Sequence, residues 1–269
     1  MTPAPRVDPV REALASGGHI CLVVDDDDSY GDLAADFLRQ GRADGEKTVA
    51  FGPLGSPLQE RLAPFAVVVA DPYVDFLGLR GLEPATMFAM FREQAAIAAA
   101  EGYTRLRVAA DMDWLLPAAP SREEALGFEV LLDRVISELD ATVLCAYRRT
   151  SFDPDVLLGM GCIHPTASGG EQPPFKLVAA EGGRWELGGE IDFASSSVLA
   201  PALRATVTAP WVVDVSRLDF LDVASMRTIA GLARTAADGL ELRHASPRLQ
   251  RLWQLAGFDD VAPGVRFVA

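Results

Sequence analysis

The stretch His19–Ser29 reads HICLVVDDDDS and joins a buried strand to the start of a helix. Residues 19–24 are mostly apolar and include three β-branched side chains, which predicts a strand covered on both of its faces. Residues 30–40 carry apolar side chains at helical spacing, and residues 48–51 predict a second strand. This order of strand, helix and strand is the building block of parallel sheets.

The same alternation continues to about residue 165 and predicts a three-layer α/β domain with a RecA-like parallel sheet. Further strands are expected at 65–70, 106–110 and 142–146, and further helices at 85–101, 121–139 and 154–160. Residues 166–174 contain small, polar and helix-breaking side chains without apolar periodicity, which predicts a linker.

A second set of α/β elements follows the predicted linker. Strands are expected at 185–187, 211–215 and 240–242, and helices at 195–205, 224–237 and from 246 to about 257. The sequence therefore predicts four regions: an N-terminal segment at 1–16, a first domain at 17–165, the linker at 166–174 and a small α/β domain at 175–269.

The chain has 269 residues and a formal net charge of -14 at pH 7. Such a charge repels nucleic acid and anionic membranes, and we find no cluster of basic residues in the sequence that would offset it. The three cysteines never stand at CxxC spacing, which suits a reducing compartment. No apolar run reaches transmembrane length, and the first residues lack the apolar core of a signal peptide. We expect a cytoplasmic protein that binds neither nucleic acid nor membrane.

Three phrases of the second domain occur in a characteristic order. They read WELGGEIDF at 185–193, VVDVSRLDFLD at 212–222 and SPRLQRLWQLAGF at 246–258. Together they resemble the STAS family, which includes the anti-sigma factor antagonists. The resemblance covers 175–269 and implies a small sheet flanked by helices. It also implies docking to a protein partner, an anti-sigma factor or a related kinase.

The STAS resemblance places Asp222-Val223-Ala224-Ser225 where the antagonists have Asp-Ser-Ser-Gly. The second serine of that motif is the phosphoacceptor of the family, and Ala224 stands in its place without a hydroxyl group. This implies a docking module that phosphate at this position does not switch. Two alternatives remain open for the adjacent Ser225, which could be a displaced phosphoacceptor or could cap the following helix.

Short phrases of the first domain also occur in a characteristic order. They read GHICL at 18–22, DDDD at 25–28, FLRQG at 37–41, DMDW at 111–114 and LCAY at 144–147. These phrases resemble the MEDS domain over residues 17–165, a domain thought to sense small molecules. The resemblance implies ligand binding and includes no catalytic signature.

The loop after the first strand argues against nucleotide binding. A phosphate loop has the pattern GxxxxGK[ST], because backbone N–H groups and a lysine must face the phosphates. Here the loop is Asp25–Asp28, and each carboxylate about 4 Å from a phosphate would cost on the order of 1 to 4 kcal/mol. The acids instead predict a solvated loop with favourable charge at a helix N-terminus. A nucleotide-binding or nucleotide-hydrolysing protein on a RecA-like scaffold remains the alternative function.

In open parallel sheets, ligands bind beyond the carboxyl ends of the strands. This rule selects the following candidate ligand-binding residues: Asp25, Asp26, Asp111, Trp114, Tyr147 and Arg148. The alternatives are that Trp114 packs in the core and that Arg148 forms an internal ion pair. His19, at the start of the first strand, is a further candidate, although a structural role is more common for such a histidine.

The histidines and cysteines give no sign of catalysis. No two histidines have the spacing of a helical metal site, and no motif supports a nucleophilic Cys-His pair. We therefore expect no metal, no cofactor and no catalytic residue. The sequence predicts a non-enzymatic signalling protein that senses an unknown small molecule and docks a protein partner. A ligand-free structural scaffold is a further alternative.

Overall fold

The structure, a computed structural model, describes residues 14, 17–72, 83–119, 121–139, 141–207 and 210–269. Contacts between the described residues divide them into two compact units. The first unit contains the described residues within 1–120, 135–161 and 166–171. The second unit contains the described residues within 121–134, 162–165 and 172–269. The predicted N-terminal segment lies outside the described residues, apart from Leu14.

The first unit is built on a parallel sheet of six strands in the order β3-β2-β4-β5-β1-β6. The strands are β1 (His19–Val24), β2 (Lys47–Phe51), β3 (Val68–Ala70), β4 (Leu106–Asp111), β5 (Ala141–Arg148) and β6 (Thr166–Ser168). The α/β class and the parallel sheet predicted from the sequence are confirmed.

Helices connect these strands, as parallel pairing requires. They are α1 (Asp27–Ala43), α2 (Pro57–Leu62), α3 (Pro84–Ala100), α4 (Leu115–Ala118), α5 (Arg122–Glu138) and α6 (Pro154–Ile163), and the boundary between the units passes through α5 and α6. Tyr30, Phe37 and Leu38 of α1 pack in one buried cluster with Ile20 and Leu22 of β1. Each such side chain contributes about 1.5–3 kcal/mol when it is fully buried.

β6 lies inside the stretch predicted as a linker. Residues 166–168 pair with β1 in parallel, and Thr166 stands opposite Ile20. The segment Thr-Ala-Ser is three residues long and only half-buried at the edge of the sheet. It therefore lacks the apolar run by which a buried strand is recognised in a sequence.

The second unit contains a mixed sheet in which β10, β8, β9, β11 and β12 are parallel neighbours and β7 pairs with β8 in the antiparallel direction. The strands are β7 (Phe175–Ala180), β8 (Arg184–Ile191), β9 (Val212–Asp214), β10 (Leu218–Leu221), β11 (Leu240–Arg243) and β12 (Val265–Val268). The sequence did not predict β7, β10 or β12. In β10 and β12 half of the residues are exposed, so the apolar signal of these two strands is weak.

The helices of the second sheet are α7 (Ser196–Thr206), α8 (Val223–Ala233), α9 (Pro247–Leu255) and α10 (Phe258–Val261). α7 continues through Pro201, although a proline removes one helical N–H donor. Its flanking residues Leu199, Ala202 and Leu203 are buried, and this packing favours the helix. Among the described residues, no helix combines the length and apolar character needed to cross a membrane.

We expect Gly239→Ala to destabilise the protein by at least about 1–2 kcal/mol, the penalty for an L residue in the left-handed region. Gly239 has φ +71, and a Cβ atom added there would lie 2.2 Å from the carbonyl oxygen of Gly264. The matched control is Gly231→Ala within α8, where an added Cβ meets nothing within 4 Å. This control should stabilise the protein by about 0.5–1 kcal/mol. Urea unfolding measures the effect of both substitutions, and a neutral Gly239→Ala variant would contradict the close approach of Gly239 to the carbonyl of Gly264.

Candidate functional site

The parallel register of the first sheet brings three of the candidate residues to its carboxyl edge. Val24 of β1 stands opposite Arg148 of β5, and Asp111 of β4 stands opposite Ala146 of β5. Asp25 follows β1 directly. Asp25, Asp111 and Arg148 therefore mark the ends of three neighbouring strands, as the sequence predicted.

The guanidinium group of Arg148 binds three carboxylates at this edge. Its Nη1 and Nη2 donate to Oδ1 and Oδ2 of Asp111 at 2.7 and 2.9 Å, which makes a bidentate pair. Its Nη1 also lies 2.9 Å from Oδ2 of Asp113, and its Nε donates to Asp27. The side chain is only 14% exposed. We call Asp27, Asp111, Asp113 and Arg148 the strand-edge cluster; the predicted internal ion pair of Arg148 is confirmed.

The ionisation of the strand-edge cluster reflects burial and mutual attraction. Burial, the largest effect, opposes the charge of Arg148, but hydrogen bonds and attraction from Asp111, Asp27 and Asp113 raise its pKa above the ordinary value. Burial also raises the pKa of Asp113, and Arg148 and the hydroxyl of Ser151 only partly oppose this. The guanidinium therefore occupies the place where a cation would otherwise balance these carboxylates.

Asp25 and Asp26 have structural partners. Oδ1 of Asp25 accepts a hydrogen bond from Nε of Arg149 at 2.9 Å on the surface. Asp26 is the N-cap of α1, and its Oδ1 accepts from the backbone N–H and the hydroxyl of Ser29, each at 2.8 Å. The bond from the Ser29 N–H is the main reason why the pKa of Asp26 is lowered. The predicted solvated loop with charge at a helix N-terminus is confirmed.

Trp114 and Tyr147 are at most 1% exposed and belong to the core. The ring of Trp114 meets that of Phe51 edge-on, with 5.7 Å between centroids. The ring of Tyr147 meets that of Phe152 in the same way at 5.3 Å. The expectation that Trp114 packs in the core is confirmed, and neither ring presents a face to solvent.

His19 lies apart from the other candidate residues. It begins β1, and the length of that strand separates its backbone from Asp25 by roughly 20 Å. Its Nε2 atom lies 3.5 Å from Sγ of Cys145, and both side chains are buried. The pairing of β1 with β5 produces this contact between residues far apart in sequence.

Two buried polar atoms of the first unit, one of them within the strand-edge cluster, were not expected from the sequence. The hydroxyl of Tyr30 and Oδ1 of Asp113 make no hydrogen bond within the part of the chain that the structure describes. Burial first, and then the charge of Asp111, raise the pKa of Tyr30 well above its usual value. Asp113 belongs to the phrase DMDW and could have been found there, whereas nothing in the sequence marks Tyr30 as more than a core residue.

A crevice opens beside Asp111 at the same edge of the sheet. Its cavity volume is about 10 Å³, which is roughly the space that one water molecule needs, and the remainder of its ≈ 190 Å³ of empty space includes open solvent. Its lining includes Ala50, Phe51, Leu58, Gln59, Leu62 and Asp111. The crevice is therefore mainly apolar, with a carboxylate at one wall.

The second unit places the predicted phosphoacceptor motif at the start of α8. Asp222 is the N-cap, and its Oδ1 accepts from the backbone N–H of Ser225 at 2.7 Å. The expectation that Ser225 caps the helix is wrong, because Asp222 performs that role. Ser225 is fully buried, and its hydroxyl has no hydrogen-bond partner among the residues described. A kinase could reach this hydroxyl only if the first turn of α8 opened.

Ala224 is exposed, in contrast to Ser225. Its neighbour Val223 is 53% exposed, and Phe193, which follows β8, is 82% exposed. Because β8 and β10 are parallel, with Leu221 opposite Ile191, these residues follow the ends of two neighbouring strands. The carboxyl edge of the second sheet therefore presents apolar side chains to solvent.

His164 and Glu129 form a buried pair within the second unit. Nε2 of His164 lies 3.5 Å from Oε2 of Glu129, and both side chains are 0% exposed. Neither residue was a candidate in the sequence. Such a pair contributes to stability only when its remaining polar atoms are also satisfied.

Comparison with known families gives two matches. Residues 18–165 match the family model described as MEDS, the MEthanogen/methylotroph, DcmR Sensory domain. Residues 179–266 match the model described as STAS_2, the Mlab, STAS domain. The first match covers more than half of the chain, and both confirm the resemblances in the sequence. No curated protein matches the chain.

We expect Arg148→Gln to lower the free energy of unfolding by about 3–5 kcal/mol at pH 7, because the buried carboxylates lose their counter-charge. The matched control is Arg149→Gln. Its ion pair with Asp25 is largely exposed, so this change should cost no more than about 1 kcal/mol. Urea unfolding of the two variants measures the difference.

The penalty of Arg148→Gln should shrink as the pH falls from 7 to 5. The pKa of Asp113 is already raised by burial, and loss of Arg148 removes the attraction that opposes this rise. A carboxyl with a raised native pKa binds its proton at a higher pH in the native than in the unfolded state, so acidification favours the native state. Equal penalties for both arginine variants, or a penalty that does not change with pH, would contradict this.

Proposed function

Because the chain belongs to the MEDS family and carries a STAS domain, it has a signalling role, and we propose that it is a non-enzymatic sensor and adaptor. The MEDS domain would bind a small molecule. The STAS domain would dock a protein partner, either an anti-sigma factor or a related kinase. A ligand changes such docking only when it binds two states of the protein with different affinities.

The exposed methyl group of Ala224 is the observation that carries the docking half of the proposal. In the STAS family this position holds the phosphorylated serine, and phosphate there puts negative charge into the partner interface. Alanine cannot receive phosphate, and the hydroxyl of Ser225 is buried. The apolar side chains of Val223 and Phe193 extend the same exposed surface. Docking would therefore continue whether or not a kinase is active.

The crevice beside Asp111 supports the sensing half of the proposal. It lies at the carboxyl edge of a parallel sheet, where ligands of α/β domains bind. It combines apolar walls with a few polar groups, as small-molecule sites do, and a ligand would bind there only if the crevice widened from its cavity volume of about 10 Å³. Of the residues predicted from the sequence, Asp111 lines this crevice and Arg148 holds Asp111 in place.

The start of α1 argues against the nucleotide-binding alternative. A helix N-terminus binds phosphate through its unpaired N–H groups. Here Asp26 accepts the N–H of Ser29, so a carboxylate of the chain already occupies this end of the helix.

The three cysteines are all buried and form no disulfide, which supports a reducing compartment such as the cytoplasm.

We expect a pull-down from the native host to recover an anti-sigma-type kinase with the wild-type chain, because Ala224 leaves the docking surface uncharged. Only Ala224→Ser should become phosphorylated by that kinase, as measured by mass spectrometry. The matched control is Ser225→Ala, which should bind as the wild type does. Phosphate on wild-type Ser225, or a wild-type chain that recovers no such kinase, would overturn the docking half.

We expect native mass spectrometry of the full chain with a metabolite library to give a bound small molecule. Soaked crystals should show that molecule at the carboxyl edge of the first sheet, because the crevice lies there. A library without a bound compound, or a compound bound elsewhere, would contradict the sensing half. Tight binding of ATP would instead favour the nucleotide alternative.

A further inference from the structure

The solvent-facing side of α8 continues from Ala224 along the whole helix. Val223, Ala224, Arg227, Gly231 and Arg234 are all exposed. Because successive residues of a helix are rotated by about 100°, these five positions fall within one stripe that is about 100° wide. We call these five residues the α8 face.

The two arginines of the α8 face have no partner within the chain. Other arginines of the second unit, Arg204, Arg217 and Arg243, each form an ion pair with a glutamate. Arg227 and Arg234 form neither an ion pair nor a side-chain hydrogen bond with any residue that the structure describes. The sequence of α8, VASMRTIAGLA, contains no acidic residue. The α8 face is therefore positive, although the formal net charge of the chain is -14.

The spacing of the two arginines is regular, and a glycine lies between them. Arg227 and Arg234 are two helical turns apart, which separates them by about 10.5 Å along the helix axis. Gly231 lies between them on the same face, and a Cβ atom added there would meet nothing within 4 Å. Glycine is less favourable than alanine inside a helix, and the space around Gly231 does not require it. A position without a side chain does, however, allow another backbone to approach closely.

An acidic helix fits the α8 face. Two helix positions that are two turns apart lie on one side with a spacing of about 10.5 Å, so two carboxylates can meet Arg227 and Arg234 together. Carboxylates are the groups that arginine binds through two parallel hydrogen bonds. A small residue between the two carboxylates would contact Gly231. Nucleic acid is less suitable, because two arginines offset little of the repulsion from a chain with a net charge of -14.

We propose that α8 binds an acidic helix of the partner protein, with carboxylates two turns apart against Arg227 and Arg234 and a small side chain against Gly231. The inference rests on the proposed docking function and names the chemistry of the partner surface.

Fluorescence anisotropy of the full chain with labelled helical peptides tests the proposal. The probe is an alanine-based peptide of about 20 residues, long enough to be helical, with glutamates two turns apart on one side. A companion peptide carries glutamine in place of each glutamate, and a DNA duplex serves as a polyanion that is not a protein. The glutamate peptide should bind at least about tenfold more tightly than the companion or the DNA, and added salt should reduce this preference.

Arginine variants test where the glutamate peptide binds. Arg227→Gln and Arg234→Gln should each reduce the preference for glutamate over glutamine about three- to fivefold. Arg234 also lies at the C-terminal end of α8, where a positive charge favours the helix, so its variant can lower the urea midpoint as well. The matched control is Arg266→Gln at an exposed position of β12, which removes the same charge and should leave the preference unchanged.

The glycine variant separates binding from stability. Gly231→Ala should raise the urea midpoint, because alanine favours the helix, and should also weaken binding of the glutamate peptide at least about threefold. The added methyl group would hold the partner helix away from α8. If this variant gains stability and binds the glutamate peptide as the wild type does, the close approach at Gly231 is wrong and the inference fails.

The remaining outcomes distinguish this inference from the proposed function. Equal binding of the glutamate and glutamine peptides, binding of neither peptide, or tighter binding of the DNA would each overturn the acidic helix. An equal loss of preference in Arg266→Gln would show an effect of net charge alone and would also overturn it. The pull-down with the native host decides the docking function independently, so that function stands if the kinase is recovered and the peptides show no preference.

Discussion

The bidentate pair between Arg148 and Asp111 determines how the strand ends of the first unit are arranged. One guanidinium connects the carboxyl ends of β4 and β5 and, through Asp27, the start of α1. The parallel register makes this possible, because it brings residues distant in sequence to the same edge. The same contacts give the edge its negative charge, since one guanidinium cannot neutralise three carboxylates. The arrangement of the strand ends in this unit therefore depends on a single ion-pair network.

Most of the fold could be predicted because its strands are buried. β1, β4 and β5 are mostly apolar and almost entirely buried, and such strands are readily recognised in a sequence. β6, β10 and β12 were missed because they are short and partly exposed, so tertiary pairing rather than local composition makes them strands. For the same reason, the linker predicted at 166–174 contributes its first residues to the sheet.

The candidate site was predicted only in part. The rule that ligands bind at the carboxyl ends of strands correctly placed Asp111 and Arg148 together. It could not show that Trp114 and Tyr147 turn into the core, since side-chain direction depends on packing. Tyr30 was missed because an aromatic residue on an apolar helix face predicts core packing. Only the three-dimensional neighbours of its hydroxyl show that a polar group lies there unsatisfied.

Neither the start of α1 nor the start of α8 favours a phosphate group, and the reasons differ. At α1 the carboxylate of Asp26 already accepts an N–H group, and at α8 the exposed residue Ala224 has no hydroxyl. Under the proposed function the signal must then come from ligand affinity. A small ligand gains at most ~1.5 kcal/mol of binding free energy for each of its non-hydrogen atoms. To shift a two-state equilibrium from 1:99 to 99:1, a ligand must bind one state more tightly than the other by about 5.5 kcal/mol of binding free energy. For a ligand of only a few non-hydrogen atoms, almost all of the binding energy would have to be specific to one state, so a partial and graded shift in docking is the physically favoured response.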